Sequence, residues 1–480
     1  MTMNDYLILL VATPLIAAIL TMFFQRRSML IVIAAALVIF YATIQLYSQV
    51  SLAGLLEYRI GGWSSGLGIS LRADQTSLLF LIMTAIIVSA TSVYAHFYFG
   101  DLSQRPYFWS LWLLLWSALN ALFMSGDLFN LYVTLELMGL AGVSLASLSF
   151  TRSAIEAALR YLLVGLFGSM LFLAGVALIY AGYGSLDIAY LKDQIIANPV
   201  TLVALSLMTV GLLMKTALFP LHFWLPPTHG GAPAPVSAVL SALVVKATFY
   251  LVMRLWLDLY ASIIPLIAGY GIGILAAAAV LWGSWQALQA KRLKLLAAYS
   301  TVAQLGYLFL FFPIILALPE GTARNTAYGG LIILALTHGF AKAGLFMAIG
   351  IIQQRTGHDR ISDLGGTAQR LPITTFTIAL CGVALIGLPP SGAFLGKWVL
   401  LSQAFSSEQW WWVIVIFSGT VMAALYTFNV MGHAFGQDKT SHNHTAIMAD
   451  ERPPLILAMI ATVGLGFAGM TVWHYLGGDS

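Results

Sequence analysis

Long apolar stretches alternate with short polar segments along the whole chain. Each stretch reaches about 18 residues or more, which is the length that an α-helix needs to cross the hydrocarbon core of a bilayer. We therefore predict an all-α membrane protein with about fourteen spans. The predicted spans are residues 6–24, 29–50, 74–97, 107–125, 128–150, 158–182, 199–222, 235–257, 262–287, 295–317, 326–352, 373–405, 410–435 and 454–476.

Two spans contain proline-rich interruptions. The seventh runs into Phe219-Pro220 and then Pro226-Pro227, and the twelfth holds Leu388-Pro389-Pro390-Ser391-Gly392 at its middle. Because proline removes a backbone donor and clashes with the previous turn, we predict that both helices are broken. Interrupted helices in two separate halves hint at an internal duplication, as transporters often have inverted repeats with discontinuous helices.

The composition supports a lipid-embedded chain. Of 480 residues, 60% are hydrophobic and 8% are charged, whereas a soluble domain carries roughly 25% charged residues. The sequence shows no strand-forming region and no nucleotide-binding motif, so we expect no cofactor and an energy supply from an ion gradient or partner subunits. The net charge of +4 is scattered over loops, which argues against a nucleic-acid partner. The single cysteine, Cys381, excludes a disulfide framework.

Loop charges predict the orientation. Twelve lysines and arginines follow odd-numbered spans and five follow even-numbered spans, which places the odd loops in the cytoplasm and both termini outside. The twelve are Arg26, Arg27, Arg105, Arg152, Lys291, Arg292, Lys294, Arg355, Arg360, Arg370, Lys439 and Arg452, and the five are Arg59, Arg72, Lys192, Arg254 and Arg324. Because no clear cleavage site follows the first apolar run, we expect a retained helix rather than a signal peptide.

Five ionisable side chains fall well inside predicted spans. One charge at a helix centre costs about 2.5–3.5 kcal/mol on insertion scales, so five lipid-facing charges would cost on the order of 10 kcal/mol. We therefore expect these side chains to face the bundle interior, either paired or hydrated. They are Glu136, Lys215, Lys246, Lys342 and Lys397.

The positions of these charges predict a proton relay. Glu136 and Lys215 are interpreted as a switchable ion pair, because burial disfavours a charged amine and a nearby carboxylate restores it. The alternative is a structural ion pair that locks two helices. Lys246 is too central in the eighth span to be a snorkelling anchor.

The second half of the chain continues this pattern. His338 and Lys342 are four residues apart, so they share one face of the eleventh span. Since histidine titrates near neutrality, we interpret His338 as a relay group, with a helix–helix hydrogen bond as the alternative. Lys397 follows the Pro389-Pro390 interruption by two turns.

Three further residues are accessory candidates. Arg160 opens the sixth span and either joins the pathway or anchors the helix at the cytoplasmic interface. His222 and His229 flank the end of the seventh span, where we expect them to face water. The histidines within residues 433–444 lack a carboxylate or cysteine framework, so no metal site is predicted.

Four segments resemble the antiporter-like proton-translocating subunits shared by multisubunit sodium/proton antiporters and respiratory complex I. The resemblance covers roughly residues 70–435. The segments are Leu213-Met-Lys-Thr-Ala-Leu-Phe-Pro-Leu-His-Phe-Trp-Leu-Pro, Gly231-Ala-Pro-Ala-Pro-Val-Ser-Ala, Leu295-Leu-Ala-Ala-Tyr-Ser-Thr-Val-Ala-Gln-Leu-Gly-Tyr and Thr337-His-Gly-Phe-Ala-Lys-Ala.

This resemblance implies fourteen helices, with spans 4–8 and 9–13 as inverted repeats and spans 7 and 12 broken. It implies a division into N-terminal spans (residues 1–100), a first repeat (101–260), a second repeat (261–436) and a final loop and helix (437–480). It also implies that the proton pathway consists of Glu136, Lys215, Lys246, His338, Lys342 and Lys397.

Within the family, the segment Gly387-Leu-Pro-Pro-Ser-Gly-Ala-Phe-Leu-Gly-Lys and the length look most like the D-type component of multisubunit Na⁺/H⁺ antiporters. No long lateral helix is expected after the last span, which argues against the large A-type component. The lysine at 397 disfavours the complex I subunit type that has glutamate there.

We therefore expect a transporter subunit, not itself an enzyme, that moves protons in exchange for a monovalent cation such as Na⁺. It would lie in a bacterial-type inner membrane with other membrane subunits as partners. The alternative is the equivalent proton-pumping subunit of a complex I-type NADH:quinone oxidoreductase or a membrane-bound hydrogenase. A self-contained carrier for an organic solute and a purely scaffolding role are further hypotheses.

Overall fold

The computed structural model describes residues 5–62, 68–100, 105–436 and 449–476. Within these ranges, twelve helices are long and apolar enough to cross a membrane, which confirms the predicted all-α membrane fold. Two shorter apolar helices, Tyr107–Phe123 and Pro372–Ile386, accompany them. The number of fourteen spans and the inverted repeats stay predictions.

The helices follow the predicted apolar stretches closely. They are α1 (Asp5–Phe23), α2 (Ser28–Ala53), α3 (Gln75–Phe99), α4 (Arg105–Phe123), α5 (Leu128–Ala146), α6 (Arg152–Tyr183), α7 (Ile188–Gln194), α8 (Pro199–Thr216), α9 (Leu225–Gly231), α10 (Ala234–Val239), α11 (Val245–Arg254), α12 (Leu266–Gln289), α13 (Leu293–Ala317), α14 (Thr322–Thr356), α15 (Thr367–Arg370), α16 (Pro372–Ile386), α17 (Gly392–Ser406), α18 (Trp411–Ala434), α19 (Arg452–Met459) and α20 (Leu465–Tyr475).

The expectation of no strand is wrong between α2 and α3. Strands β1 (Leu55–Arg59) and β2 (Ser70–Asp74) pair antiparallel, with Leu55 opposite Asp74. Each strand has only five residues, so neither is long enough to show a clear alternation of apolar and polar residues. The hairpin ends where Asp74 caps α3 by accepting a hydrogen bond from the Ser77 amide.

The predicted break in the seventh span is present. Helix α8 ends at Thr216, and Ala217 takes a left-handed conformation with φ of 59°. The chain then passes through the cis Phe219-Pro220 bond and begins α9 at Leu225. The apolar stretch is therefore two helices rather than one.

The twelfth span is broken in the same way. Helix α16 ends at Ile386, Gly387 has φ of 86°, and the Pro389-Pro390 bond is cis. Helix α17 then starts at Gly392 after Ser391, whose side chain accepts a hydrogen bond from the Phe394 amide. The break leaves the last carbonyls of α16 without partners in their own helix.

The eighth span is also irregular. Helices α10 and α11 are joined by one turn of π-helix over Leu240–Val244, and a second π turn over Leu255–Leu259 follows α11. Such turns inside α-helices are frequent at functional sites. The first of them ends two residues before Lys246.

The chain divides into two compact units. The first contains residues 1–89, 99–217 and 243–265, and the second contains residues 90–98, 218–242 and 266–480. The division into four segments that the sequence implies stays a prediction.

Close helix packing in the first unit depends on glycines. A Cβ atom on Gly211 of α8 would clash with the Gly168 carbonyl oxygen of α6, and one on Gly175 would lie 2.6 Å from the Ala204 carbonyl oxygen. Small residues let backbones approach in this way in membrane helices. Helices α6 and α8 therefore touch backbone to backbone.

Helices α12 and α13 pack similarly within the second unit. A Cβ atom on Gly306 would lie 2.6 Å from the Ala276 carbonyl oxygen, and one on Gly283 would lie 2.7 Å from the Ala303 nitrogen. In each unit, a glycine-lined seam therefore fixes two helices at close range.

We expect Gly168→Ala to destabilise the first unit, because its Cβ would meet the Gly211 carbonyl oxygen at 2.7 Å. Overpacking of this kind costs about 1–3 kcal/mol. The matched control is Gly165→Ala on the same helix, where a Cβ meets nothing within 4 Å and helix propensity favours alanine by up to about 1 kcal/mol. Thermal unfolding of the purified protein in detergent measures both, and equal stability of the two variants would contradict the packing argument.

Candidate functional site

The first unit contains the predicted ion pair. The Lys215 Nζ lies 3.1 Å from the Glu136 Oε1 and 3.5 Å from the Leu135 carbonyl oxygen. The Lys215 side chain is 6% exposed and the Glu136 side chain 22%. The contact joins α5 to the last turn of α8, so the pairing suggested by the sequence is present.

Glycines make room for the Lys215 side chain. A Cβ atom on Gly168 would lie 3.3 Å from its Cγ, and a Cβ on Gly139 would lie 3.5 Å from its Nζ. The lysine stem therefore passes between α5, α6 and α8 where two side chains are missing. Its place in the final turn of α8 also puts the ammonium near the negative end of the helix dipole.

Lys246 is completely buried on α11, directly after the π turn. Thr216 donates a hydrogen bond of 2.9 Å to the Thr248 hydroxyl, which joins α8 to α11. The two threonines are one residue after Lys215 and two residues after Lys246. The first unit therefore brings the helices that carry both lysines together at the level of these residues.

In the second unit, Lys342 is held by neutral oxygens. Its Nζ donates to the Ala297 carbonyl oxygen at 2.8 Å and to the Ser300 hydroxyl, both on α13. Lys342 is fully buried, and His338, one turn earlier on α14, is 2% exposed. An ammonium in such surroundings depends on charge-assisted hydrogen bonds to offset its lost hydration.

Lys397 binds the helix end created by the break in the twelfth span. Its Nζ donates to the carbonyl oxygens of Leu385 at 3.2 Å and Ile386 at 2.9 Å. These are the last residues of α16, whose carbonyls are orphaned and carry the negative end of the helix dipole. The ammonium also lies 4.1 Å from the centre of the Tyr307 ring, a cation–π distance.

A polar face of α13 connects the surroundings of these two lysines. The Gln304 Nε2 donates to the Leu385 carbonyl oxygen at 2.8 Å, the same oxygen that Lys397 contacts. Ser300, Gln304 and Tyr307 are four and three residues apart, so they share one helix face. This face is absent from the residues predicted from the sequence, although polar residues at helical spacing in an apolar span are a visible signal.

The accessory candidates are not part of these contacts. Arg160 is exposed on the third turn of α6, eight residues after its start. His229 is completely buried and stacks on Phe346 with ring centres 4.7 Å apart, so the expectation that it faces water is wrong. His222 is 9% exposed and stacks on Phe219.

One buried lysine is not the loop residue that the apolar pattern predicts. Lys294 is 3% exposed at the start of α13, where its Nζ donates to the Ala232 carbonyl oxygen at 2.9 Å. A lysine just before an apolar stretch usually anchors a helix at the interface, which explains the expectation of a loop position. Only the packing of residue 232 against α13 shows that it is enclosed.

The histidines at the end of α18 provide no metal centre among the described ranges, which contain no group of three or more His, Cys, Asp or Glu side chains able to hold an ion. His442 and His444 lie outside those ranges.

Comparison with known proteins identifies relatives over nearly the whole chain. The profile described as NADH:quinone oxidoreductase/Mrp antiporter, TM, matches residues 125–423. The N-type component of the NADH-quinone oxidoreductase of Desulforudis audaxviator is 35% identical over 385 residues, 79% of this chain and 75% of that protein. The D-type component of the Na(+)/H(+) antiporter of Alkalihalophilus pseudofirmus is 28% identical over 448 residues, 92% of this chain and 87% of that one.

A solved structure has the same fold. A chain of the Mrp complex from a Dietzia species superposes with a TM-score of 0.88 at 25% identity, covering 99% of this chain and 97% of the other.

We expect Glu136 and Lys215 to be strongly coupled in stability. Glu136→Gln or Lys215→Met alone leaves a charge in an apolar setting, whereas the double variant removes both. Coupling between contacting residues is about 0.5–3 kcal/mol, measurable by unfolding in mixed micelles. The matched control is the exposed Arg152–Glu156 pair at 2.9 Å on α6, where a much smaller coupling is expected because solvent screens it. Additive effects at Glu136 and Lys215 would argue against an energetically important pair.

Proposed function

The chain belongs to the NADH:quinone oxidoreductase/Mrp antiporter transmembrane family, and from this premise we propose that it is a proton-translocating subunit of a multisubunit Na⁺/H⁺ antiporter. Support comes from the D-type antiporter relative, which aligns over 92% of this chain, and from the Mrp complex fold. Other membrane subunits of that complex are the expected partners.

The observation that carries the proposal is the Glu136–Lys215 ion pair inside an apolar segment, at 3.1 Å. Ionisable groups are costly within a bilayer and usually mark ion pathways. A structural lock would need one such pair. This chain keeps three more buried lysines inside its spans, at positions 246, 342 and 397, and that cost is explained if the lysines carry protons.

The pair supplies a switch in the first unit. While Glu136 lies beside Lys215, its negative charge stabilises the ammonium, an effect that is strong in a medium of low dielectric. When the two side chains separate, the ammonium loses that stabilisation and the release of its proton becomes favourable. Lys246, whose helix is joined to α8 through Thr216 and Thr248, is the proposed proton acceptor.

The second unit has the parts for a comparable step. Lys342 and Lys397 each hold a proton against oxygen acceptors, and Ser300, Gln304 and Tyr307 lie between them on one face of α13. Hydroxyl groups both donate and accept hydrogen bonds, so Ser300 can exchange a proton with Lys342. His338 is the proposed third group of this set, with Arg160, His222 and His229 outside it.

The orientation belongs to the same proposal. The loop charges support a multi-pass protein of the cell membrane with both termini on the outer side. The division into an N-terminal segment, two inverted repeats and a terminal helix follows the family resemblance.

The alternative is a subunit of a redox-driven proton pump, in which the same groups move protons but the energy comes from electron transfer. It is favoured by the 35% identity to the N-type component of an NADH-quinone oxidoreductase. Under this alternative the chain itself is still not the redox centre.

We expect Glu136→Gln to lower Na⁺-dependent proton antiport in everted membrane vesicles by on the order of tenfold or more, since each 1.4 kcal/mol on a barrier is worth a factor of ten. The matched control is Glu156→Gln, the same change at an exposed carboxylate on α6, where antiport stays at the native rate. Assembly of each variant is checked by purification of the whole complex. Native antiport in an assembled Glu136→Gln complex would sink the proposal.

The composition of the native complex separates the two functions. We expect a tagged chain to be purified from its own membranes with other membrane subunits and without iron–sulfur or nickel proteins. Metal analysis and mass spectrometry of the complex provide the measurement. Stoichiometric iron–sulfur subunits would instead favour the redox alternative.

A further inference from the structure

A charged cluster at one end of the first unit has no role in the proposed switch. Arg254, the last residue of α11, places its Nη2 at 2.5 Å from both carboxylate oxygens of Asp74. The same guanidinium places Nη1 at 3.7 Å from the Asp258 Oδ2, and Asp258 is held by the Lys192 Nζ at 2.5 Å. The guanidinium therefore has two carboxylates within reach.

The cluster forms the wall of a small cavity. Its polar lining consists of Arg72, Asp74, Ser125, Tyr250, Arg254 and Asp258, and its volume is about 40 Å³. One water needs roughly 10–15 Å³ of such space and two to four polar partners. The cavity is therefore large and polar enough for about two or three waters.

Tyr250 stands between this cavity and Lys246. Lys246, Tyr250 and Arg254 are four residues apart on one helix, so their side chains follow one face. The Tyr250 hydroxyl accepts a hydrogen bond from the Arg254 Nε at 3.0 Å and donates one to the Phe123 carbonyl oxygen at 3.0 Å. The distance along the helix from Lys246 to Arg254 is about 12 Å, so Tyr250 lies midway.

Asp74, the residue just before the membrane-spanning α3, is fixed from two sides. Besides binding Arg254, it accepts a hydrogen bond from the Ser77 amide at 2.9 Å and so caps α3. Burial by itself raises the pKa of the Asp74 carboxyl, but the Arg254 cation and these hydrogen bonds outweigh it and lower the pKa overall. Asp74 is therefore charged at neutral pH and keeps the guanidinium across the cavity.

We propose that the Asp74–Arg254 ion pair is a gate, which closes a water-filled passage between the aqueous phase at this end of the first unit and the Tyr250–Lys246 side of α11. In the closed state Arg254 binds Asp74. In the open state it moves to Asp258, which is already near, and waters reach Tyr250. That protons are what passes the gate rests on the proposed function, whereas the gate itself is a property of this cavity.

The competing role is a fixed clamp that holds α11 to the start of α3. A clamp and a gate differ in what happens when one carboxylate is removed. Losing Asp74 frees Arg254 toward Asp258 and opens a gate, whereas losing Asp258 removes the open-state partner and keeps a gate closed. A clamp gives no such opposite effects.

The chain offers a clean reporter for this difference. Its single cysteine, Cys381, is buried, so Cys381→Ala gives a cysteine-free background. Leu251→Cys then places a thiol in the cavity lining, at a position that is completely buried. The reaction rate of this thiol with a membrane-impermeant cationic methanethiosulfonate is measured on the whole complex, in sealed vesicles of both orientations.

We expect Asp74→Asn to raise the labelling rate at least tenfold, and from one membrane side only. Asparagine caps a helix about as well as aspartate, so this change removes the charge and keeps the cap. Asp258→Asn is expected to slow the labelling. The matched control is Glu57→Gln, which breaks an exposed ion pair with Arg59 in the neighbouring hairpin and leaves the rate unchanged.

Equal labelling of the native and Asp74→Asn complexes, or faster labelling in both aspartate variants, would overturn the gate. If Asp74→Asn prevents assembly, Asp258→Asn still decides, because a clamp predicts a native or raised rate there. Thiol labelling does not require transport. A gate that opens in a chain whose Glu136→Gln variant keeps full antiport would therefore overturn the proposed function alone.

Discussion

The need of a buried ammonium for oxygen acceptors organises this molecule. A lysine inside the hydrocarbon region loses its hydration, and hydrogen bonds within the protein must replace it. Lys215 has a carboxylate, Lys342 has a hydroxyl and a carbonyl of α13, and Lys397 has the carbonyls that end α16. Three different acceptors serve the same requirement, and each determines how its lysine can respond when a proton arrives or leaves.

The broken helices supply part of that chemistry. In an intact membrane helix every interior carbonyl is already bonded, so none is available to a side chain. The interruption after Ile386 frees carbonyls in the middle of an apolar segment, and Lys397 with Gln304 occupies them. In the first unit the end of α8 places Lys215 in a last turn, beside Glu136. Both breaks therefore put polar backbone groups where an ordinary span has none.

The seams and the charged sites have different mechanical characters. Glycine contacts such as that between Gly168 and Gly211 fix α6 against α8 without a flexible side chain between them. The Asp74–Arg254–Asp258 group is held instead by ion pairs, in which one guanidinium has two alternative carboxylates. A rigid seam beside an exchangeable ion pair lets side chains rearrange while the helices stay in place.

Hydropathy and proline positions by themselves determined the membrane class, the positions of the helices and the two breaks, because lipid admits only apolar helices of a set length and proline disrupts them. Charge cost alone singled out Glu136, Lys215, Lys246, Lys342 and Lys397. Only the tertiary structure decided which acceptor each lysine binds, that Lys294 is enclosed and that Arg254 belongs to a buried cluster. The physical reason is that the acceptors are mostly backbone carbonyls and hydroxyls from distant segments, and a carbonyl looks the same at every position of a sequence.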